Sequence, residues 1–185
     1  GNSLISLDRL KSLIEINTRI NLNYADPDTL LVSILESAML MVKCEAASLL
    51  LVRKEINSLE FYISLGPKNS EVKKILVEKE SIAGWVAENC ESVIINDVNS
   101  DPRFNSTVQN MTKYVTRNMI AFPMSVKGDC VGVIELINKE NNGDFTADDL
   151  EILELLGEQA AVAYQNALRY RKNKVQLNAL QYVVD

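Results

Sequence analysis

Leu7, Leu10, Ile14 and Ile20 recur at helical spacing and predict an amphipathic helix over residues 4–22, broken by Asn23–Tyr24–Ala25. Asp26 followed by Pro27 has the chemistry of an N-cap with proline in the first turn. It launches a second helix over 29–42 whose inner face carries Leu30, Ile34, Ala38 and Met41. The pattern then shifts to short apolar runs: Ala47 to Val52 and Leu59 to Leu65 read as a hairpin across Glu55–Ser58 that ends at Gly66–Pro67, and 72–77 as a further strand. Ser81 is placed to cap a short helix over 82–88, and Val93–Ile94–Ile95 is a brief strand. After a turn-rich stretch, 105–113 reads as a loose helix. Strands over 119–126 and 130–137 follow, joined by Lys127–Gly128–Asp129, a tight-turn signal.

Thr146-x-x-Asp149 resembles a capping box and opens a helix that runs to about residue 183. One stripe on it holds Leu153, Leu156, Ala160, Ala163, Ala167, Tyr170, Leu177 and Val184, interrupted by Lys174 and Gln181. A second holds Leu150, Ala161, Tyr164, Leu168, Val175 and Tyr182. Two stripes imply two neighbours, the domain's own sheet and another helix. The element order predicts an α+β fold with a mostly antiparallel sheet.

Composition narrows the chemistry. The 185 residues are 47% apolar and 24% charged, enough for one core beneath an ordinary polar surface. A net charge of −6 argues against nucleic acid and anionic membrane as partners. No apolar run reaches the roughly 18 to 20 residues of a membrane span, and no signal-peptide pattern opens the sequence, so the expected location is cytoplasmic. The chain has no histidine, which removes Ser–His and Cys–His catalysis and the usual haem and zinc ligand. Cys44, Cys90 and Cys130 are far apart in sequence and read as reduced thiols packed like small apolar groups. No catalytic residue and no metal site is expected.

Four motifs in this order resemble the GAF family, more narrowly the GAF domains of cyclic-nucleotide phosphodiesterases and bacterial adenylyl cyclases. They are Ile82–Ala83–Gly84–Trp85–Val86–Ala87, Ile95–Asn96–Asp97, Thr116–Arg117–Asn118–Met119–Ile120–Ala121–Phe122–Pro123 and the strand Val131 to Lys139. The resemblance covers 27–166 and implies a GAF-like, PAS-related sheet of about six antiparallel strands. Terminal helices should pack on one face and short pocket helices on the other. It divides the chain into a dimerisation helix (1–23), the GAF domain (24–166) and a connecting helix (167–185) to an output domain in the same chain.

The resemblance also implies a ligand site. Family contact positions fall on Ser48, Ala83, Thr112, Thr116 and Glu135, with the Asn96–Asp97 pair in the same set, and the expected ligand is cyclic AMP or cyclic GMP. Backbone N–H groups opening the 82–88 helix would hold the phosphate. The family's base-stacking Phe-Asp has no counterpart in Ile63–Ser64–Leu65–Gly66, leaving Trp85 or Tyr114 as candidate rings. The family's Asn-Lys…Phe…Asp signature appears as Asn138–Lys139, Phe145 and Asp149, implying a Lys139–Asp149 ion pair beside the cavity. Each residue also has an ordinary structural role open to it, Asp149 as a cap and Ser48 as a small strand residue among them. The resemblance implies a non-catalytic sensor module that forms a homodimer through 4–22 and 153–184, with Ala163→Glu expected to separate the pair. A ligand-free dimerisation module is the alternative. A methionine-sulfoxide reductase, as in one GAF branch, is disfavoured by the local sequence around the three cysteines.

Overall fold

The computed structural model describes residues 27–67 and 75–184. The predicted 4–22 helix and the Asp26 cap lie outside the described residues, as does the first half of the expected 72–77 strand.

Helix α1, Pro27–Val42, buries Leu30, Leu31, Ile34, Leu35, Ala38 and Val42 along one face. It stops at Lys43, whose φ of 61° is left-handed and whose N–H returns to Met39 O. Strand β1 (Cys44–Arg53) follows without a loop and turns into β2 (Ser58–Leu65) through a 3₁₀ turn and a left-handed Asn57. Then come β3 (Leu76–Glu78), helix α2 (Ile82–Asn89), β4 (Val93–Ile95), helix α3 (Thr107–Thr112), β5 (Met119–Val126) and β6 (Asp129–Lys139). Helix α4, Ala147–Val184, closes the described chain. The expected sheet is present: six strands in the order β3-β2-β1-β6-β5-β4, with every neighbouring pair antiparallel. The β5–β6 turn places both Lys127 (φ 53°) and Gly128 (φ 84°) in the left-handed region, the backbone of a type I′ hairpin.

Strand alternation divides the interior in two. Leu49, Ile120, Ile134 and Leu136 point to the face covered by α1 and α4, where they meet Leu31, Ile34, Ile152, Leu153 and Leu156. Leu50, Leu59, Phe61, Ala121 and Val133 point to the opposite face, where they meet Ile82, Ala83, Val86 and Val98. Helices α1 and α4 therefore share one face and the short elements occupy the other, as the resemblance implied.

The two stripes of α4 fall differently from their expected division. Leu153, Leu156, Ala160, Ala163 and Ala167 are buried in the domain's own core, and Leu150, Ala161 and Tyr164 of the second stripe pack against that same core. Ala163 is 1% exposed, so Ala163→Glu would put a charge into the fold itself and cannot report on a dimer. Val162 is exposed within the packed part of the helix, and Leu168, Val175, Leu177 and Leu180 are exposed further along.

Helix α2 sits so close to the preceding turn that only glycine fits at its third position. A Cβ on Gly84 would lie 1.9 Å from Lys79 O, a backbone atom that cannot rotate aside. Gly84→Ala should therefore displace the helix at a cost of about 1–3 kcal/mol, read as a lower urea midpoint at unchanged slope. An unchanged midpoint would show that α2 is not held against this turn.

Candidate functional site

The second face of the sheet carries a cavity roofed by α2, α3 and the chain from Phe104 to Thr116. Its floor is set by register. Ser48 of β1 pairs with Ser64 of β2 on one side and with Glu135 of β6 on the other, so three polar side chains form a row across an otherwise apolar floor. Ser48 Oγ and Ser64 Oγ are 3.2 Å apart. Leu50, Phe61, Met119 and Ile137 surround the row. Glu135 lies between Val133 and Ile137 on a strand whose alternate residues face the cavity, so alternation aims its carboxyl inward. That carboxyl has no hydrogen-bond partner among the described residues. Burial pushes its pKa from 4.5 up to about 7, because the charged form is deprived of water.

The roof is tied down by its own polar groups. Ser81 caps α2 by accepting from Gly84 N at 3.0 Å and donates to Glu78 O at 2.6 Å. Ala83, in the next turn, reaches the cavity. Thr112 Oγ1 bonds back to Val108 O at 2.9 Å, and Gln109 Oε1 accepts from Thr116 N at 2.9 Å. The hydroxyl of Thr116 makes no hydrogen bond among the described residues. Tyr114 lines the cavity and donates to the Glu45 carboxylate; burial, and then this bond, push the phenol up to about 12. Asn138, at a φ of 61°, receives Arg117 N at 2.7 Å and donates to Val115 O at 2.9 Å. The charged residues lining the cavity are acidic, Glu78 and Glu135, and its volume is about 150 Å³.

Five of the seven residues expected to bind ligand thus come together: Ser48, Ala83, Thr112, Thr116 and Glu135 all line this cavity. Asn96 and Asp97 do not. Asn96 exchanges hydrogen bonds with the Phe145 backbone, 2.8 Å to its N and 3.1 Å to its O, bracing the loop before α4. Asp97 caps a 3₁₀ turn, accepting from Asn99 N at 3.2 Å and Ser100 Oγ at 2.6 Å. Of the two candidate rings, Tyr114 faces the cavity. Trp85 does not line it; the guanidinium of Arg103 lies 4.6 Å from its ring centroid. Phe61, Phe104, Ser64 and Gln109 also line the cavity and were not among the expected residues. The β1–β2 register would have found Ser64 and Phe61, but registers are not written in a single sequence.

Lys139 and Asp149 lie on the other face of the sheet, and neither lines the cavity. Lys139 Nζ is 2.8 Å from Asp149 Oδ2 and 2.6 Å from Val42 O at the end of α1. The same Oδ2 accepts from Thr146 N at 3.0 Å, while Thr146 Oγ1 accepts from Asp149 N at 3.2 Å. One carboxylate oxygen thus serves both the ion pair and the capping box, joining the start of α4 to the end of α1. Arg117 ties this junction to the cavity roof by donating to Lys139 O at 2.8 Å and Gly143 O at 2.9 Å.

Comparison with known proteins agrees with this architecture. The GAF domain model matches residues 26–164, and the chain belongs to the GAF family. It is 27% identical over 209 residues to the dual 3′,5′-cyclic-AMP and -GMP phosphodiesterase 11 of Drosophila melanogaster, across 100% of this chain and 14% of that protein. It is 30% identical over 177 residues to the dual phosphodiesterase 11A of Takifugu rubripes, across 88% of this chain and 20% of that protein. The chain thus spans a small part of these relatives' length. Among solved structures, the GAF domain of a phosphoenolpyruvate-protein phosphotransferase from Coxiella burnetii superposes with a TM-score of 0.79 at 17% identity. That match covers 90% of this chain and 98% of the other and shares the fold alone. No helix among the described residues is long and apolar enough to cross a membrane.

Proposed function

We propose that this GAF domain is the non-catalytic, cytoplasmic sensor of a larger signalling protein, and that its cavity binds a purine cyclic nucleotide. The observation that carries the reading is the convergence of Ser48, Ala83, Thr112, Thr116 and Glu135 on one cavity. The polar row on the floor offers hydroxyls and a carboxyl to a base edge. The N–H groups opening α2 face a site with no cationic side chain among its lining residues, so backbone dipoles are what the cavity offers a phosphate. Ligand sites of this kind hold roughly 300 Å³ or more, so nucleotide entry moves the 105–117 roof away from the sheet. Because Arg117 is bonded to the Lys139–Gly143 loop that precedes α4, the roof's position is coupled to the helix leading to an output domain.

Relay through that helix needs a second copy. The exposed apolar residues Leu168, Val175, Leu177 and Leu180 lie beyond the part of α4 buried in the domain, and they suit pairing with a twin helix. Val175→Glu, far from the core, should shift the protein toward monomer in light scattering, whereas a parent chain already monomeric at tens of micromolar would contradict the dimer.

A thermal-shift screen with cyclic AMP, cyclic GMP, free purines and small acids tests the ligand. A ligand at a hundred times its Kd stabilises by about 2.7 kcal/mol. Thr116→Ala should weaken binding by roughly 0.5–1.5 kcal/mol, up to about tenfold. The small, acidic cavity favours the alternative of a ligand-free transmission module, and a flat screen with folded protein would support it.

A further inference from the structure

Two of the three cysteines, distant in sequence, are brought by the fold to one cavity. Cys90 is the C-cap of α2, held there by its N–H to Val86 O at 2.9 Å, and it is exposed. Cys130 is the second residue of β6 and half-buried. The β5–β6 register sets Ser125 opposite Cys130, immediately after the irregularity between Met124 and Ser125. Ser125 Oγ is in turn 3.0 Å from Cys90 Sγ. Ser125 therefore touches the Cys90 thiol and is the strand partner of Cys130, whose own thiol donates to Gly132 O at 3.2 Å. Both cysteines line a second cavity near the C-terminal end of α2, separate from the candidate nucleotide site. The charged side chains there are Arg53, Lys54 and Lys79 against Glu88 and Asp129. Burial first, and then Cys90, push Cys130 up to about 11, against its hydrogen bond to Gly132 O and the attraction of Lys54.

We propose that Cys90 and Cys130 are a reversible redox pair that a hydroperoxide converts to an intramolecular disulfide. Cys90 is the accessible sulfur and reacts first. Its thiol gives up a proton and the thiolate attacks one peroxide oxygen; the O–O bond breaks, the departing hydroxide or alkoxide takes up that proton, and the products are a Cys90 sulfenic acid and water or the corresponding alcohol. Cys130, the sheltered sulfur, then attacks the Cys90 sulfur. An S–S bond forms, the S–O bond breaks, the Cys130 proton joins the departing hydroxide, and water leaves. The two thiols give up two electrons and the peroxide takes them. For the bridge to close, Cys90 Sγ must leave Ser125 Oγ and Cys130 Sγ must leave Gly132 O, both by side-chain rotation. The bridge would fix the end of α2 to the β5–β6 hairpin, and it stands whether or not the first cavity takes a nucleotide.

Peptide mapping after graded hydrogen peroxide and alkylation of the remaining thiols tests this on the full chain. Cys44 is 3% exposed and is the internal control. The expected result is a Cys90–Cys130 cross-linked peptide, loss of two hydrogen masses, Cys44 still alkylated, and full reversal by dithiothreitol. Cys130→Ser should accumulate a sulfenic acid at Cys90 that dimedone traps, and Cys90→Ser should slow peroxide loss of the Cys130 thiol at least about tenfold. Circular dichroism confirms that each variant is folded; should either fail, the parent's own peptide map still decides. Cys90 driven to sulfinic acid while Cys130 stays alkylatable would overturn the proposal, as would a Cys90 bridge to a second chain in place of Cys130.

Discussion

Asp149→Ala should lower the unfolding free energy by about 3–5 kcal/mol, the cost of removing one partner of a buried ion pair. The side chain is 3% exposed and its Oδ2 is shared by Lys139 Nζ and Thr146 N. Its loss leaves the Lys139 ammonium, 20% exposed, with Val42 O as its hydrogen-bond acceptor and the Phe145 ring 6.0 Å away, and leaves the first turn of α4 without half of its capping box. The effect is not a charge effect alone, so Asp149→Asn should recover part of it by still accepting from Thr146 N. The double variant Lys139→Met with Asp149→Leu should cost less than the sum of its single changes, because no unpaired charge remains. Urea denaturation of the parent, of these variants and of the two single changes measures each effect. A loss below about 1 kcal/mol for Asp149→Ala would show that the pair behaves as a solvent-screened surface contact and does not hold α1 to α4.

Glu135→Gln should remove a pH dependence of stability that the parent chain shows between about pH 4.5 and 7. The Glu135 pKa rises from 4.5 to about 7 in the folded protein because of burial. Across that window the native state holds a proton that the unfolded chain has released. The stability it contributes is complete below about 4.5, falls as pH rises, and is lost above about 7. At 1.36 kcal/mol per unit, the change is on the order of 3 kcal/mol. Glutamine keeps the shape and polarity without the charge, so the variant should match the parent near pH 4.5 and melt higher at pH 8. The difference between the two melting profiles isolates this carboxyl from every other titrating group. Parallel profiles would show that Glu135 reaches water freely and does not face a closed cavity.

The parts of this structure that could be read in the sequence are those with local causes. Ser81 three residues before Gly84, Thr146 three before Asp149, and the Lys127–Gly128 turn each declare an element boundary through one hydrogen bond or one backbone angle. Period-two alternation likewise put Val133, Glu135 and Ile137 on one face of β6. Long-range pairing was not legible. The Ser64–Ser48–Glu135 row depends on two registers, one of them passing a bulge between Leu49 and Leu50. The two stripes of α4 looked equivalent as patterns, yet both pack on the same domain as far as Ala167, because α1 and the sheet flank the helix there and leave only its outer face, with Glu158 and Val162, exposed. Asn96 and Asp97 follow a strand directly and belong to a family motif, but their side chains brace loops. The placement of Cys90 and Cys130 at one cavity came only from the β5–β6 hairpin folding beneath the end of α2.

The proposed nucleotide site is tested most directly by calorimetric titration of the folded, nucleotide-free chain with cyclic AMP and cyclic GMP, alongside Thr116→Ala and Glu135→Ala. The predicted result is saturable heat with one of the two nucleotides, weakened up to about tenfold by Thr116→Ala. Glu135→Ala should weaken it further, since the donor it pairs with would be left buried and unpaired. No heat with either nucleotide at millimolar concentration, or binding that neither cavity variant alters, would contradict it.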